Sequence, residues 1–524
     1  MEEFSTSDLK QLIQSATDFA YSPVAHREAA VKEFLGRFPL PVIISALQTQ
    51  VDVPAVEPAL VPCLERIFET KYGASLIPHY MAFLQVGLRA ESQLVRCLAC
   101  KTVSCLFENL DDSSVSPAQL VIAYDIYPML LDCLLNGDER TAAASMDAIL
   151  NFARSLEGIA VIFPLDNNEG TSLRNLAAKT SPLGRVRILA LIVKLFSLSH
   201  EVASVISTSN LLSLFETEVS TTSDTLVTLT VLELLYEMAE IQHSAEFLSK
   251  TTLLQLLSSI ISTSAESILR SRALMISGRM LSTENVFKFV DESSVRTVIS
   301  ATEGRLQAVE TVDQDECESA IEALGQIGSS THGADLLFSS SPRATRFVIH
   351  AAFDNQRRGK QLAALHAVGN IIGETRPESS KMLSPDHEEN LRRFIYETAS
   401  NSTKLTPSGL FLSLLQQDSE VRLGGYRLVT GLAVRPWFLM EICSRQEIIN
   451  IVTDPYIEST KNSMEARHKC CQAIYDALAV STRLGTDPAL ARIAEKLQEA
   501  LKRGPYLVRK HAEATPTVMT EQRF

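Results

Sequence analysis

Val95-Arg96-Cys97-Leu98-Ala99, Val186-Arg187-Ile188-Leu189-Ala190 and Val421-Arg422-Leu423-Gly424-Gly425 are three occurrences of one pattern. A small residue stands at +4 from the first position, and apolar residues follow at +8 and +11. These offsets fall on one face of a helix with 3.6 residues per turn. The small residue lets a paired helix approach closely. Ten such units start at Val56, Val95, Thr141, Val186, Val227, Leu269, Glu316, Lys360, Val421 and Arg467. Their +4 residues are Leu60, Ala99, Ser145, Ala190, Val231, Ala273, Ala320, Ala364, Gly425 and Cys471, of which eight are Ala, Gly, Ser or Cys. Typical +8/+11 pairs are Val103/Leu106, Ile149/Phe152, Leu324/Ile327 and Val429/Leu432. Two units break the rule, the Val186 unit at Lys194 and Ser197 and the Leu269 unit at Ser277.

The units recur at about 45 residues, the period of armadillo and HEAT repeats. No unit can bury its apolar face alone, so neighbours must stack. The sequence therefore predicts an all-α chain: an armadillo/HEAT-like α-solenoid superhelix of about ten to eleven helical repeats, more than half helical, with a concave binding surface. Strand signals are sparse, and no Asn-Gly or Asp-Gly hairpin stands between alternating apolar runs. Prolines fall mostly between units, as at Pro117, Pro128, Pro164, Pro182, Pro342 and Pro436. One interval, from Lys360 to Val421, is longer and holds Pro377, Pro385 and the polar stretch Thr398 to Ser408. It reads as an inserted loop with an extra helix around His387 to Thr398. It also suggests a boundary, with an N-terminal array over 1–400, C-terminal repeats over 401–508 and a loose polar tail over 509–524.

The chain has 524 residues, 46% hydrophobic and 21% charged, with a formal net charge of -14. This composition belongs to a folded soluble protein. The negative balance disfavours nucleic acid as a partner. The start, Met1-Glu2-Glu3-Phe4, has neither the basic nor the apolar region of a secretory signal. No apolar run approaches the ~20 residues that span a bilayer. The best candidate, Ile188 to Leu198, is short and carries Lys194. Nine scattered cysteines then read as reduced core thiols. The expected compartment is the cytoplasm, with the nucleus as a second one, and no membrane partner is expected.

A search for chemistry returns little. There is no phosphate loop, because Asp354 occupies the place of the upstream glycine before Gly359-Lys360. A dinucleotide turn and a G-x-S-x-G elbow are also missing. His387-Glu388-Glu389-Asn390-Leu391 lacks the second histidine of a zinc-protease helix. Cys97, Cys100 and Cys105 have metal-like spacing but lie inside a repeat helix with no second pair nearby, so they read as core. Cys470-Cys471 reads the same way. The basic clusters Arg357-Arg358-Lys360, Arg392-Arg393, Lys502-Arg503 and Arg509-Lys510 lack the interleaved aromatics of nucleic-acid platforms. No enzyme activity, metal or cofactor is expected.

The C-terminal third is the most distinctive part. It carries Glu420-Val421-Arg422, Val429-Thr430-Gly431-Leu432-Ala433, then Pro436 and Trp437, the only tryptophan, and ends on Leu497, Leu501 and Gly504-Pro505-Tyr506-Leu507-Val508. Upstream lies Ala323-Leu324-Gly325-Gln326-Ile327-Gly328-Ser329, followed by Gly333. These features resemble the 26S proteasome non-ATPase regulatory subunit 5 family. The resemblance implies a chaperone for assembly of the base of the proteasome regulatory particle. It would bind the C-terminal domain of a base ATPase subunit and base assembly intermediates, leave before the mature particle forms, and otherwise be a monomer. No catalytic or contact residue carries over, because the matching residues look structural. A general armadillo-type adaptor, for transport or scaffolding, is the alternative. Such grooves use ladders of tryptophan and asparagine, and Trp437 is alone.

If the +4 face points inward, offsets near +2, +6, +9 and +13 face the groove. In the middle units these include Asp147, Glu233, Tyr236, Glu240, Glu318 and Glu322. They predict an acidic stretch of groove with Tyr236 as an aromatic anchor, suited to a basic partner surface.

Overall fold

The computed structural model describes residues 6–23, 27–49, 53–109, 116–164, 172–221, 224–307, 313–481 and 487–506. Every regular element among them is helical. The expected tail, 509–524, lies outside the described residues, as do Leu507 and Val508.

All ten repeat units form helices. We number them α1 (Val56–Phe68), α2 (Gln93–Asn109), α3 (Glu139–Phe152), α4 (Pro182–Leu198), α5 (Thr225–Ala239), α6 (Ser267–Met280), α7 (Gln314–Ile327), α8 (Arg358–Ile371), α9 (Ser419–Leu432) and α10 (Lys461–Val480). The chain forms two compact units, Met1–Phe247 and Leu248–Phe524. Within the first, α1 packs on α2, α2 on α3, α3 on α4 and α4 on α5. The helix Thr6–Ala20 lies against α1. Within the second, α6 to α10 stack in the same serial way, and Pro488–Arg503 covers α10. Each unit is thus an all-α solenoid segment whose core is made by neighbouring repeats.

The small residue at +4 does what the helix geometry requires. Ser145, Ala273, Ala320, Ala364 and Cys471 are all fully buried. The closest approach falls at +9 rather than +4, an offset expected to face the groove: an added Cβ would lie 2.7 Å from the Cα of Ala323 at Gly278 and 2.5 Å from the Cα of Ala367 at Gly325. The Val186 unit needs a correction. Ala190 is only half-buried, and Lys194 and Ser197 are exposed. The residues one position earlier, Leu189, Val193 and Phe196, are buried, along with Ile188, Leu191, Ile192 and Leu195. The first three fit the offsets when the unit starts at Arg185, one residue earlier, so the breaks in the pattern came from the frame rather than from the helix.

That shift also separates the three Val-Arg pairs. Arg96 pairs with Asp132, and Arg422 pairs with Glu458 while donating to the carbonyl of Gln417 at 2.8 Å. Both reach an acid that lies further along the chain. Arg187 turns backward instead. It donates to the carbonyls of Leu134 (3.0 Å) and Gly137 (2.8 Å), the orphan acceptors at the end of the helix Ile126–Asn136.

The repeat continues past +11. In four units a Ser or Thr at +14 caps the next helix: Thr70, Ser155 and Ser330 accept from the amides of Gly73, Gly158 and Gly333 at 3.1, 3.0 and 2.9 Å, and Ser199, at +14 from Arg185, accepts from the amide of Val202 at 3.3 Å. At Gly333 a Cβ would stand 2.0 Å from the carbonyl oxygen of Ile327, so the turn requires glycine.

The expected boundary near residue 400 does not coincide with the division at Phe247/Leu248. The long interval holds helices Pro385–Ser400 and Pro407–Leu415, which pack on each other, and the second packs on α9. The core therefore runs through residue 400. Two buried arginines clamp this region. Arg376 donates to the carbonyls of Ser329 (2.9 Å), Asn370 (3.2 Å) and Ile371 (3.0 Å), closing the ends of α7 and α8. Arg435, 0% exposed, grips both carboxylate oxygens of Glu388 at 2.8 Å and donates to the carbonyl of Gly431 at 2.9 Å. Glu388, part of the histidine-bearing motif considered above, is thus a structural counter-ion.

Candidate functional site

A repeat helix that buries its +4 face against its neighbours leaves the opposite face open, and the charged residues of these open faces form the candidate surface. In the first unit Asp147 is exposed on α3. Limited solvation and the nearby Glu108 carboxylate push its pKa up. Glu233, Tyr236 and Glu240 all lie on or at the end of α5, with Glu240 at the C-cap. Glu233 and Tyr236 are half-buried and Glu240 is exposed. Their neighbour Glu237 is tied to Lys194 of α4 at 3.2 Å, so a cation interrupts this face.

Glu318 and Glu322 sit one turn apart on α7 in the second unit. Glu318 accepts from Gln314 Nε2 at 2.8 Å and lies against Gly359 of α8, where only a hydrogen leaves it room. Glu322 is pushed up by its packing and by Glu318. The six predicted residues are therefore divided, four in the first unit and two in the second. In the second unit the charges are mixed: α6 carries Arg272 and Arg279, and the faces of α8 to α10 carry His366, Arg427, Lys469 and Asp476.

His366, Arg427 and Lys469 form a network around one acid. Glu374, 6% exposed, accepts from Arg427 Nε and Nη2 at 3.3 and 3.2 Å and from Lys469 Nζ at 2.5 Å. Arg427 Nη1 donates to His366 Nδ1 at 2.5 Å. Burial and the Arg427 charge lower the pKa of His366, which keeps the imidazole neutral and able to accept. Two cations thus share a single carboxylate.

Beside this network a cavity of about 1110 Å³ opens between Pro385–Ser400, the helix Pro436–Cys443 and the second half of α10. Its aromatic wall is Tyr396 and Trp437, with ring centroids 5.8 Å apart. Arg392 lies over the Tyr396 ring at 5.6 Å, and Tyr396 Oη donates to Glu441 at 2.8 Å. Sequence reasoning missed this cavity. The signal was present in Pro436-Trp437, but the lone tryptophan served only as a family mark. A second cavity of about 700 Å³, lined by Phe83, Leu84, Val86, Val95 and Leu98, lies in the first unit.

Cys97, Cys100 and Cys105 are buried, as are the other six cysteines, and all nine are free thiols. Burial pushes Cys105 up to about 12, which suits a core residue. Cys133 departs from this, because hydrogen bonds with Cys100 and Arg96 lower it against the effect of burial. Among the described residues no group of three His, Cys, Asp or Glu is placed to hold a metal ion. No single described helix is long and apolar enough to cross a membrane.

The family described as proteasome non-ATPase 26S subunit matches over residues 60–523. The 26S proteasome non-ATPase regulatory subunit 5 of Homo sapiens is 20% identical over 452 residues, covering 86% of this chain and 85% of that protein. The protein of the same name from Bos taurus is 21% identical over the same coverage. Among solved structures an engineered protein aligns with a TM-score of 0.45 and 15% identity, over 80% of this chain and 98% of that one.

Proposed function

The chain belongs to the proteasome non-ATPase 26S subunit family, and from that premise we propose that it is a non-catalytic chaperone for assembly of the base of the proteasome regulatory particle. It holds the C-terminal domain of one base ATPase subunit on the open faces of its repeat helices, works with base assembly intermediates, and leaves before the mature particle forms. It works in the cytoplasm and has no cofactor.

The observation that carries this reading is the serial stack of repeat helices. Each helix spends one face on its neighbours and leaves another open, so each unit offers a surface built of successive helix faces. Such a surface suits a folded domain better than a small substrate. The charges on it, acids on α7 and cations on α9 and α10, are of the kind that fix register and steer encounter.

Affinity purification of the tagged chain from cells, followed by identification of bound proteins, tests the reading. One free ATPase subunit should be recovered with the chain, and the chain should be missing from purified mature proteasomes. A chain that is retained in mature particles, or that recovers no ATPase subunit, is not an assembly chaperone.

A further inference from the structure

We propose that the cavity beside Trp437 receives an amphipathic helix of the partner, apolar where it meets Trp437 and Val480 and acidic where it meets Arg427 and Lys469. The inference rests on the function proposed above and narrows the contact to one stretch of the open faces, the C-terminal ends of α9 and α10.

The cavity lies within the second unit at the C-terminal ends of α9 and α10, where Thr430, Val434, Ala473, Asp476 and Val480 stand at open-face offsets of their repeats. Ala473, Asp476 and Val480 line it from α10. With Lys469 they follow at helical spacing along one side of that helix. Val480 is 85% exposed and lines the cavity together with Trp437 and Met440. The small side chains Ala473 and Ala477 leave room for a helix to approach closely. Trp437 and Tyr396 supply the kind of rigid aromatic wall that anchors interfaces.

Charge decides what occupies the cavity. From Lys469 to Val480 α10 rises by roughly 16 Å, about three turns of a docked helix. At one end of that span Arg427 and Lys469 share only Glu374, so one positive charge is left over. The Lys469 side chain is 61% exposed and can turn to a second acid. The acids of the cavity do not pair with Lys469 in this structure: Asp476 lies seven residues, roughly 10 Å, further along α10 and accepts from Gln472 at 2.7 Å, and Glu441 on the facing helix accepts from Tyr396 at 2.8 Å. Those same acids, with Glu378 on the rim, repel a polyanion, which argues against nucleic acid or an anionic lipid surface. A helix with one acidic end and an apolar stripe fits both parts.

Trp437 is the only tryptophan in the chain, so labelling with 5-fluorotryptophan gives a single fluorine resonance at the site. The labelled full-length chain is mixed with each purified base ATPase subunit in turn, with co-elution on a sizing column as the parallel readout. The subunit that co-elutes should shift the resonance. Val480→Glu, on an exposed residue, should abolish that shift and weaken binding by about tenfold or more, the scale of an interface hot spot. Lys469→Gln, which avoids setting a second carboxylate against Glu374, should weaken binding and flatten its dependence on salt, and Val480→Glu should melt as the parent does. If a subunit co-elutes while the resonance stays in place, or if both variants bind like the parent, the cavity is not a docking site, and the rest of the open faces carries the function. If no base ATPase subunit co-elutes with the parent chain, both readings fall.

Discussion

Glu316 offers the sharpest test of how the second unit is held together. Its carboxylate is 0% exposed on α7. It takes both ends of Arg270 from α6, Nε at 2.9 Å and Nη2 at 2.6 Å, and Arg305 Nε at 2.5 Å from the helix Glu292–Gln307. Glu316→Gln keeps the shape and removes the charge. Breaking a buried ion pair from one side costs ~3–5 kcal/mol, because the partner charges stay behind. The lower end applies here. The Arg270 and Arg305 side chains are 11% and 23% exposed, and Arg270 keeps the carbonyls of Ser264 and Ala265 at 2.7 and 2.8 Å. At roughly 2–4 °C per kcal/mol for a unit of this size, the melting step of the second unit should fall by about 6–12 °C. Circular dichroism at neutral pH measures it. The pH dependence gives a second check. Burial raises the pKa of Glu316, but the hydrogen bonds and charges of Arg270 and Arg305 outweigh it, and the net shift is downward. A carboxylate depressed in the folded state stabilises above its unfolded value of about 4.3, and the contribution is lost as pH falls through the folded value. The gap between parent and variant should therefore be constant from neutral pH to about 5 and close in acid. A variant that melts with the parent at pH 7, or a gap that widens in acid, refutes the account.

Ala320 is fully buried on α7, so Ala320→Trp should lower the melting step of the second unit by an amount corresponding to ~1–3 kcal/mol or more. Ala190→Trp should cost much less, because Ala190 is half-buried; equal losses in the two melting curves would contradict the corrected frame. Gly333→Ala would push a methyl group into the Ile327 carbonyl, and should cost at least the ~1 kcal/mol of the cap it breaks, read from the same melting step. Joint reversal of Glu233, Glu240, Glu318 and Glu322 should slow association with a base ATPase subunit and change its salt dependence, as followed by stopped flow; an unchanged rate at all salt concentrations would remove these residues from the encounter surface.

The helices were legible because one physical rule, burial of a +4 face, repeats through the chain and survives an error of one residue in a single unit. Arg185 and Val186 could not be ranked from sequence, since Leu189 and Ala190 both satisfy a loose apolar pattern and only packing distinguishes them. The charges on the open faces were legible as positions but not as a field. Sequence places Glu322 on a face, but it does not say that α6 brings arginines to the next row or that Lys194 reaches Glu237. The cavity beside Trp437 was hidden for a different reason. It is built where the repeat departs from itself. At +14, where Thr70, Ser155 and Ser330 cap the next helix, the Lys360 unit has Glu374 and the Val421 unit has Arg435. Neither residue is needed for a helix cap. Glu374 instead gathers Arg427 and Lys469, and Arg435 fixes Glu388 across the long interval whose helix supplies Tyr396. A pattern search rewards agreement between units, so it passes over units such as these that disagree. In a repeat protein that disagreement is itself informative, because stability asks each unit to be alike and a local exception needs another cause.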